Sequence, residues 1–246
     1  MRTCLPTLFW REVESLFFSP LAYIVLTVFL ILNGLAFDMA LSASGGVVSD
    51  TIAFYFGDGL LFWLCLVIVP PLVTMRLVAE ERRTGLLEMT LTAPVRDGEV
   101  VLAKFLGAML FQVFLWAPTL LYIAIIRNYG ALPDPGRLIT SYLGILCVSS
   151  LLTAVGLFFS TTTTNQIVAA VGSITTSLLI LLTPLLVQSR QLTALRGVVE
   201  TVNVFGHFAS SFSLGVLDTS VLAFYAAGTA GVLVLATRSL EFRKWR

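Results

Sequence analysis

Six apolar runs, near 20–41, 57–78, 99–126, 138–159, 166–188 and 219–238, divide this sequence at intervals set by a bilayer. A hydrocarbon layer of about 30 Å takes roughly 20 helical residues to cross, and each run is that long or longer. Lipid offers the backbone no hydrogen bonds, so a spanning segment is either a helix or part of a closed barrel. Runs of this length select helices. Composition agrees, because only 12% of the 246 residues are charged, about half the share of a soluble domain. The expectation is an all-α membrane protein forming one domain over 1–246.

The polar segments between the runs fix an expected orientation. With the N-terminus inside, eleven lysines and arginines fall on the inner side and four on the outer side. Positive charge accumulates on the cytoplasmic side, so both termini are expected there, in a plasma (inner) membrane. Residues 1–19 alternate apolar and charged positions at helical spacing, with Leu5, Leu8, Phe9, Val13, Leu16 and Phe17 on one side. That pattern predicts an amphipathic helix on the membrane surface. Arg11, Glu12 and Glu14 interrupt it, so no cleaved signal peptide is expected. The outer connection over 189–218 is too polar to cross and too apolar for a bare loop, which predicts short interfacial helices. Pro70 and Pro71 should kink the second span near its inner end.

One inner segment holds a disproportionate share of the charge. Arg76 to Gly107 contains ten of the 29 charged residues. Residues 79–98 read as a cytoplasmic element between the second and third spans. A short helix from Ala79 should turn at Gly85, with Leu86, Leu87, Met89 and Leu91 on its apolar side. Pro94 should end the element, since the residue before a proline disfavours helix. Lys104 lies about one turn inside the third span, where its long side chain can reach back to the interface.

The order of residues in this insert resembles the connection between spans two and three of ABC-2-type exporter permeases. That connection runs arginine, Glu-Glu-Arg, glycine, an acidic-apolar stretch ending Thr-x-Pro-Val, and a later lysine. Here those places are Arg76, Glu80-Glu81-Arg82, Gly85, EMTLTAPV from Glu88 to Val95, and Lys104. Leu86 and Thr90 depart from the commoner threonine and leucine. GLFFSTTTTNQIVA, from Gly156 to Ala169, is similar to the family's turn between spans four and five. HFASSFSLGVLD, from His207 to Asp218, and the terminal SLEFRKWR resemble the gliding-motility-associated branch.

The resemblance implies a permease whose segment 79–98 is a coupling helix seated on a separate ATPase subunit. It assigns ATPase contact to Glu80, Glu81, Arg82, Gly85, Leu87, Glu88 and Met89, and span anchoring to Arg76 and Lys104. It implies a second permease, identical or homologous, and membrane lipids as further partners. ATP and magnesium would be bound by the partner subunit, because neither lysine of this chain sits in a phosphate-binding G-x-x-x-x-G-K-[ST] loop.

Rival functions have weaker support in the residues. A net charge of +1 argues against a nucleic-acid partner. Cys4, Cys65 and Cys147 show no metal or disulfide spacing. His207 is the single histidine, so a multi-histidine metal site is impossible and a catalytic cofactor is not expected. A non-transporting membrane scaffold is the runner-up, and an intramembrane enzyme comes third. Ser173, Thr176 and Ser177 could line a substrate path, or could simply pack helices.

Overall fold

The computed structural model describes residues 5–45, 47, 51–52, 54–86, 95–128, 134–183 and 202–244. Among these residues the chain is helical and contains no strand. Its helices are α1 (Leu5–Phe17), α2 (Pro20–Ala43), α3 (Leu60–Thr74), α4 (Ala79–Thr84), α5 (Asp97–Trp116), α6 (Leu120–Asn128), α7 (Pro135–Thr162), α8 (Gln166–Leu181), α9 (Val204–Ser210) and α10 (Thr219–Lys244).

Among the described residues, five helical stretches are long and apolar enough to cross a membrane: Pro20–Ala43, Leu60–Thr84, Asp97–Asn128, Pro135–Thr162 and Thr219–Phe242. The fifth expected span appears as α8, whose 16 residues rise about 24 Å at 1.5 Å each. The rest of that expected span, 184–188, lies outside the described residues. Two stretches are broken, the second at the end of the run that the sequence reading gave it and the third inside a run drawn continuous. The second leaves the helix at residues 75–78 before α4 begins. The third passes through a short 3₁₀ turn at Ala117–Thr119, around Pro118, before α6.

Local chemistry sets many of these boundaries. Pro20 and Pro135 open α2 and α7, where a missing amide proton costs nothing. Asp134 accepts a hydrogen bond from the Gly136 amide at the start of α7. Asn165 does the same from Ile167 for α8, and Asn203 from Gly206 for α9. Each satisfies a donor that a helix start leaves without an intrahelical partner. Pro70 and Pro71 lie inside α3, and Thr74 Oγ1 donates to both of their carbonyls.

Helix α7 is the axis of the bundle, packing against α3, α5, α8 and α10. Two glycines allow this closeness. A β-carbon on Gly156 would overlap Thr74 of α3, and one on Gly144 would meet the Phe208 and Phe212 rings at 2.6–2.8 Å. At that second site α9 and the turn after it press an aromatic face into the bundle. Phe208 and Phe212 are fully buried, and the Phe212 carbonyl accepts from Thr140 Oγ1 of α7 at 2.8 Å. An aromatic cluster continues through Phe62, Trp63 and Trp116. The two ends of the bundle therefore differ: one is aromatic, and the other collects the charged residues of α1, α4 and α5.

Small residues on α8 and α10 face opposite ways. Ala169 and Ser173 are buried within this chain, whereas Ala227 and Gly231 are exposed.

Candidate coupling site at the charged end

Glu12 is an acid on the packing face of an amphipathic helix. It falls one turn from Leu8 and one turn from Leu16, so α1 cannot settle on its apolar side without burying it. Gly107 on α5 receives it: a β-carbon there would stand 3.1 Å from the Glu12 β-carbon. Lys104 lies three residues earlier on the same face of α5, one helical turn away.

Lys104 is 1% exposed, so it does not reach back to the interface as the sequence reading expected. Burial strips water from its ammonium, and two carboxylates replace that water. Nζ stands 3.0 Å from Glu12 Oε1 and 2.8 Å from Glu81 Oε2. Arg11 closes the group from outside, 3.2 Å from Glu12 and 3.5 Å from Glu81. Four charges sum to zero, drawn from α1, α4 and α5. A buried charge that loses its partner costs roughly 3–5 kcal/mol, so each member holds the others in place.

A second connection joins the turn at 75–78 to the start of α2. Arg76 Nε donates to Glu80 Oε2 at 2.9 Å, and Nη1 donates to Ser19 Oγ at 3.1 Å. The third connection comes from α7. The N-cap position of α4 is Val78, whose side chain offers no acceptor. Ser160 supplies one from another helix: the amides of Val78 and Ala79 both donate to its Oγ at 3.1 Å, and that hydroxyl donates to the Met75 carbonyl. Arg82 Nη1 donates to the Thr161 carbonyl at 2.9 Å. Gly85 then ends α4 in the left-handed region at φ +76°, which a glycine adopts without strain.

Helix α4 is therefore held on three sides although it is only six residues long. Of the residues expected to contact an ATPase, Glu80, Glu81 and Arg82 point their polar groups toward this chain's own helices. Leu87, Glu88 and Met89 lie outside the described residues. The face of α4 left open carries Arg83, Thr84 and Leu86, with Leu86 54% exposed. Arg76 lies in the turn between α3 and α4 and Lys104 two turns inside α5, and both bind neighbouring segments.

Residue typing missed Glu12, Ser160 and Thr161. The available signal for Glu12 was its position in line with Leu8 and Leu16. A lone lysine in an apolar span should have prompted a search for its acid. Nothing local to Ser160 marks it.

The other candidates fall elsewhere. Ser173 and Thr176 donate to carbonyls of their own helix, and Ser173 and Ser177 are buried among helices. His207 packs edge-on against Phe224, with centroids 5.2 Å apart. Burial lowers its pKa, while nearby Asp218 opposes that shift. Among the described residues no group of three histidines, cysteines or acids could hold a metal ion.

Residues 36–233 match the model of a family described as ABC-2 family transporter protein. No curated protein matches the chain.

Proposed function

The chain belongs to the ABC-2 family of transporter proteins, and from that premise we propose that it is the permease of an ATP-driven exporter. Its energy would come from a separate nucleotide-binding subunit that binds ATP and magnesium. In this reading α4 is the coupling helix, and the charged end faces the cytoplasm with both termini. The excess of basic residues on that side supports the orientation, and supports placement in an inner membrane. The sequence similarities at His207–Asp218 and at the C-terminus support a place near the gliding-motility-associated branch. A second permease, identical or homologous, would complete the transport path, with α1 lying in the interface among lipid headgroups.

One observation carries the proposal: a six-residue helix is bonded to α1, α5 and α7 at once. A force applied to α4 reaches three parts of the bundle through contacts that are already made. The contact surface for the ATPase is then the open side of α4, with Arg83 and Leu86; Leu87, Glu88 and Met89, outside the described residues, keep the contact role that the resemblance implies. Glu80, Glu81 and Arg82 transmit from behind that surface, and Gly85 shapes its end.

Purification from native membranes in mild detergent tests this reading. A stoichiometric P-loop ATPase should accompany the protein. The double variant R83E/L86D should lose that ATPase while keeping the wild-type melting temperature. An intact complex with no ATPase would instead support a scaffold that uses this fold without moving solute.

A further inference from the structure

A line of polar residues runs along one side of α7. Tyr142, Ser149, Thr153 and Ser160 follow at steps of seven, four and seven residues, whole helical turns that keep them on one face. From first to last they rise about 27 Å, close to the depth of a hydrocarbon core. Both ends of the line are bonded to other segments. The Tyr142 hydroxyl shares a 2.8 Å hydrogen bond with Thr119 Oγ1, in the turn that follows α5. Ser160 accepts from the amides that open α4. The middle differs. Helix α5 packs on α7 and runs away from the charged end, whereas α7 returns toward it. Seven residues back from Thr119 and seven on from Tyr142 therefore bring Gln112 and Ser149 to one level of the bundle. Gln112, Ser149 and Thr153 are at most 1% exposed. Yet both amide atoms of Gln112 and both hydroxyls form no hydrogen bond among the described residues. Other hydroxyls of these helices, such as Ser150, Ser173 and Thr176, donate to carbonyls of their own helix.

A buried amide with neither its donor nor its acceptor used costs free energy that a second arrangement can recover. We propose that α5 and α7 part along this line, and that Gln112, Ser149 and Thr153 then form a mid-membrane site for water and neutral, hydroxyl-bearing groups. The proposal rests on the permease reading for the purpose of the opening. Chemistry selects the ligand class. An amide and two hydroxyls all donate and accept, and none carries charge. The nearest charge on α5, Lys104, lies two turns closer to the charged end and is already neutralised by Glu12 and Glu81. An ion would enter this level unpaired, whereas a hydroxyl group would find both donors and acceptors. Connections at the charged end supply the means of opening. Helix α4 holds α5 through Glu81 and Lys104, and holds α7 through Val78, Ala79 and Arg82. A displacement of α4 therefore acts on the helices at both sides of the line.

Cysteine labelling in native membranes tests the opening, in a chain whose three cysteines are first replaced by alanine. The probe is 2-hydroxyethyl methanethiosulfonate, which is neutral and carries a hydroxyl group. It reacts with thiolates, so its rate reports water at the site. S149C and T153C should each react about tenfold faster than S150C, the same kind of change one position away, where Ser150 instead meets Thr229 of α10. Equal rates in folded protein overturn the proposal. Q112L, added to S149C, should bring its rate down to that of S150C, and an unchanged rate also overturns it. A second measurement needs no cysteine variant. Q112L alone should raise the melting temperature, because it removes the unbonded amide, and a fall would show that the amide has a partner. The ATPase test of the permease reading fails separately. Labelling that persists where no ATPase accompanies the protein keeps the opening and removes its purpose, whereas slow labelling in an ATPase-bound complex refutes the opening alone.

Discussion

Gly107 and Glu12 are packed so closely that a single methyl group on the glycine would stand 3.1 Å from the glutamate's β-carbon. This contact sets the distance between α1 and α5, and therefore the reach from Glu12 to Lys104. Replacing Gly107 with valine should push α1 outward. Overpacking of this kind costs about 1–3 kcal/mol. Thermal unfolding in detergent should show the loss, and an unchanged midpoint would mean that α1 moves aside freely.

Lys104 should behave as one part of a unit. K104M leaves Glu12 and Glu81 buried without their ammonium, a loss of about 3–5 kcal/mol. Adding E12Q and E81Q removes the stranded charge and should recover most of that stability. Measured unfolding free energies would decide the matter. If the three effects simply sum, the residues do not form one buried network.

Ser160 should matter to α4 more than to its own helix. S160A leaves two amides at the start of α4 without their acceptor, at a cost of about 1 kcal/mol. Hydrogen exchange should accelerate at Val78 and Ala79 and stay unchanged along the middle of α5. Uniform exchange across the protein would show that Ser160 supports α7 alone.

His207 predicts a pH dependence at the aromatic end. Burial holds its pKa below the ordinary 6.5, with Asp218 pulling the other way. The unfolded chain therefore binds this proton first as pH falls. Stability from neutral His207 is fully present above about 6.5, declines on acidification below it, and levels off once the folded state also protonates. His207→Gln should flatten that part of the melting-temperature profile between pH 7 and 5. A wild-type slope in the variant would assign the acid sensitivity to other groups.

Much of the architecture can be read from the sequence because a bilayer imposes a length on every span, and the positions of Pro20, Pro135 and Gly85 punctuate the chain locally. The break at 117–119 is harder to read, since hydropathy continues unbroken across it. The charged end is legible only in part. Glu80, Glu81, Arg82 and Lys104 stand out as charges, but their direction does not. Typing by residue sends an acid on a loop-side helix outward to a partner, whereas tertiary packing turns Glu81 inward to Lys104. Ser160 is invisible because it serves a helix some eighty positions away.

The burial of Lys104 also bears on how the protein is made. A lysine at the centre of a span adds about 2.5–3.5 kcal/mol to the cost of membrane insertion, and even one nearer the end is a burden while its helix stands alone. Both acids that neutralise it, Glu12 and Glu81, are encoded upstream. When α5 leaves the ribosome, α1 and α4 have already been synthesised, so the counter-charges are present before the charge that needs them. A circular permutation placing α5 first would reverse that order and expose the lysine to lipid during assembly.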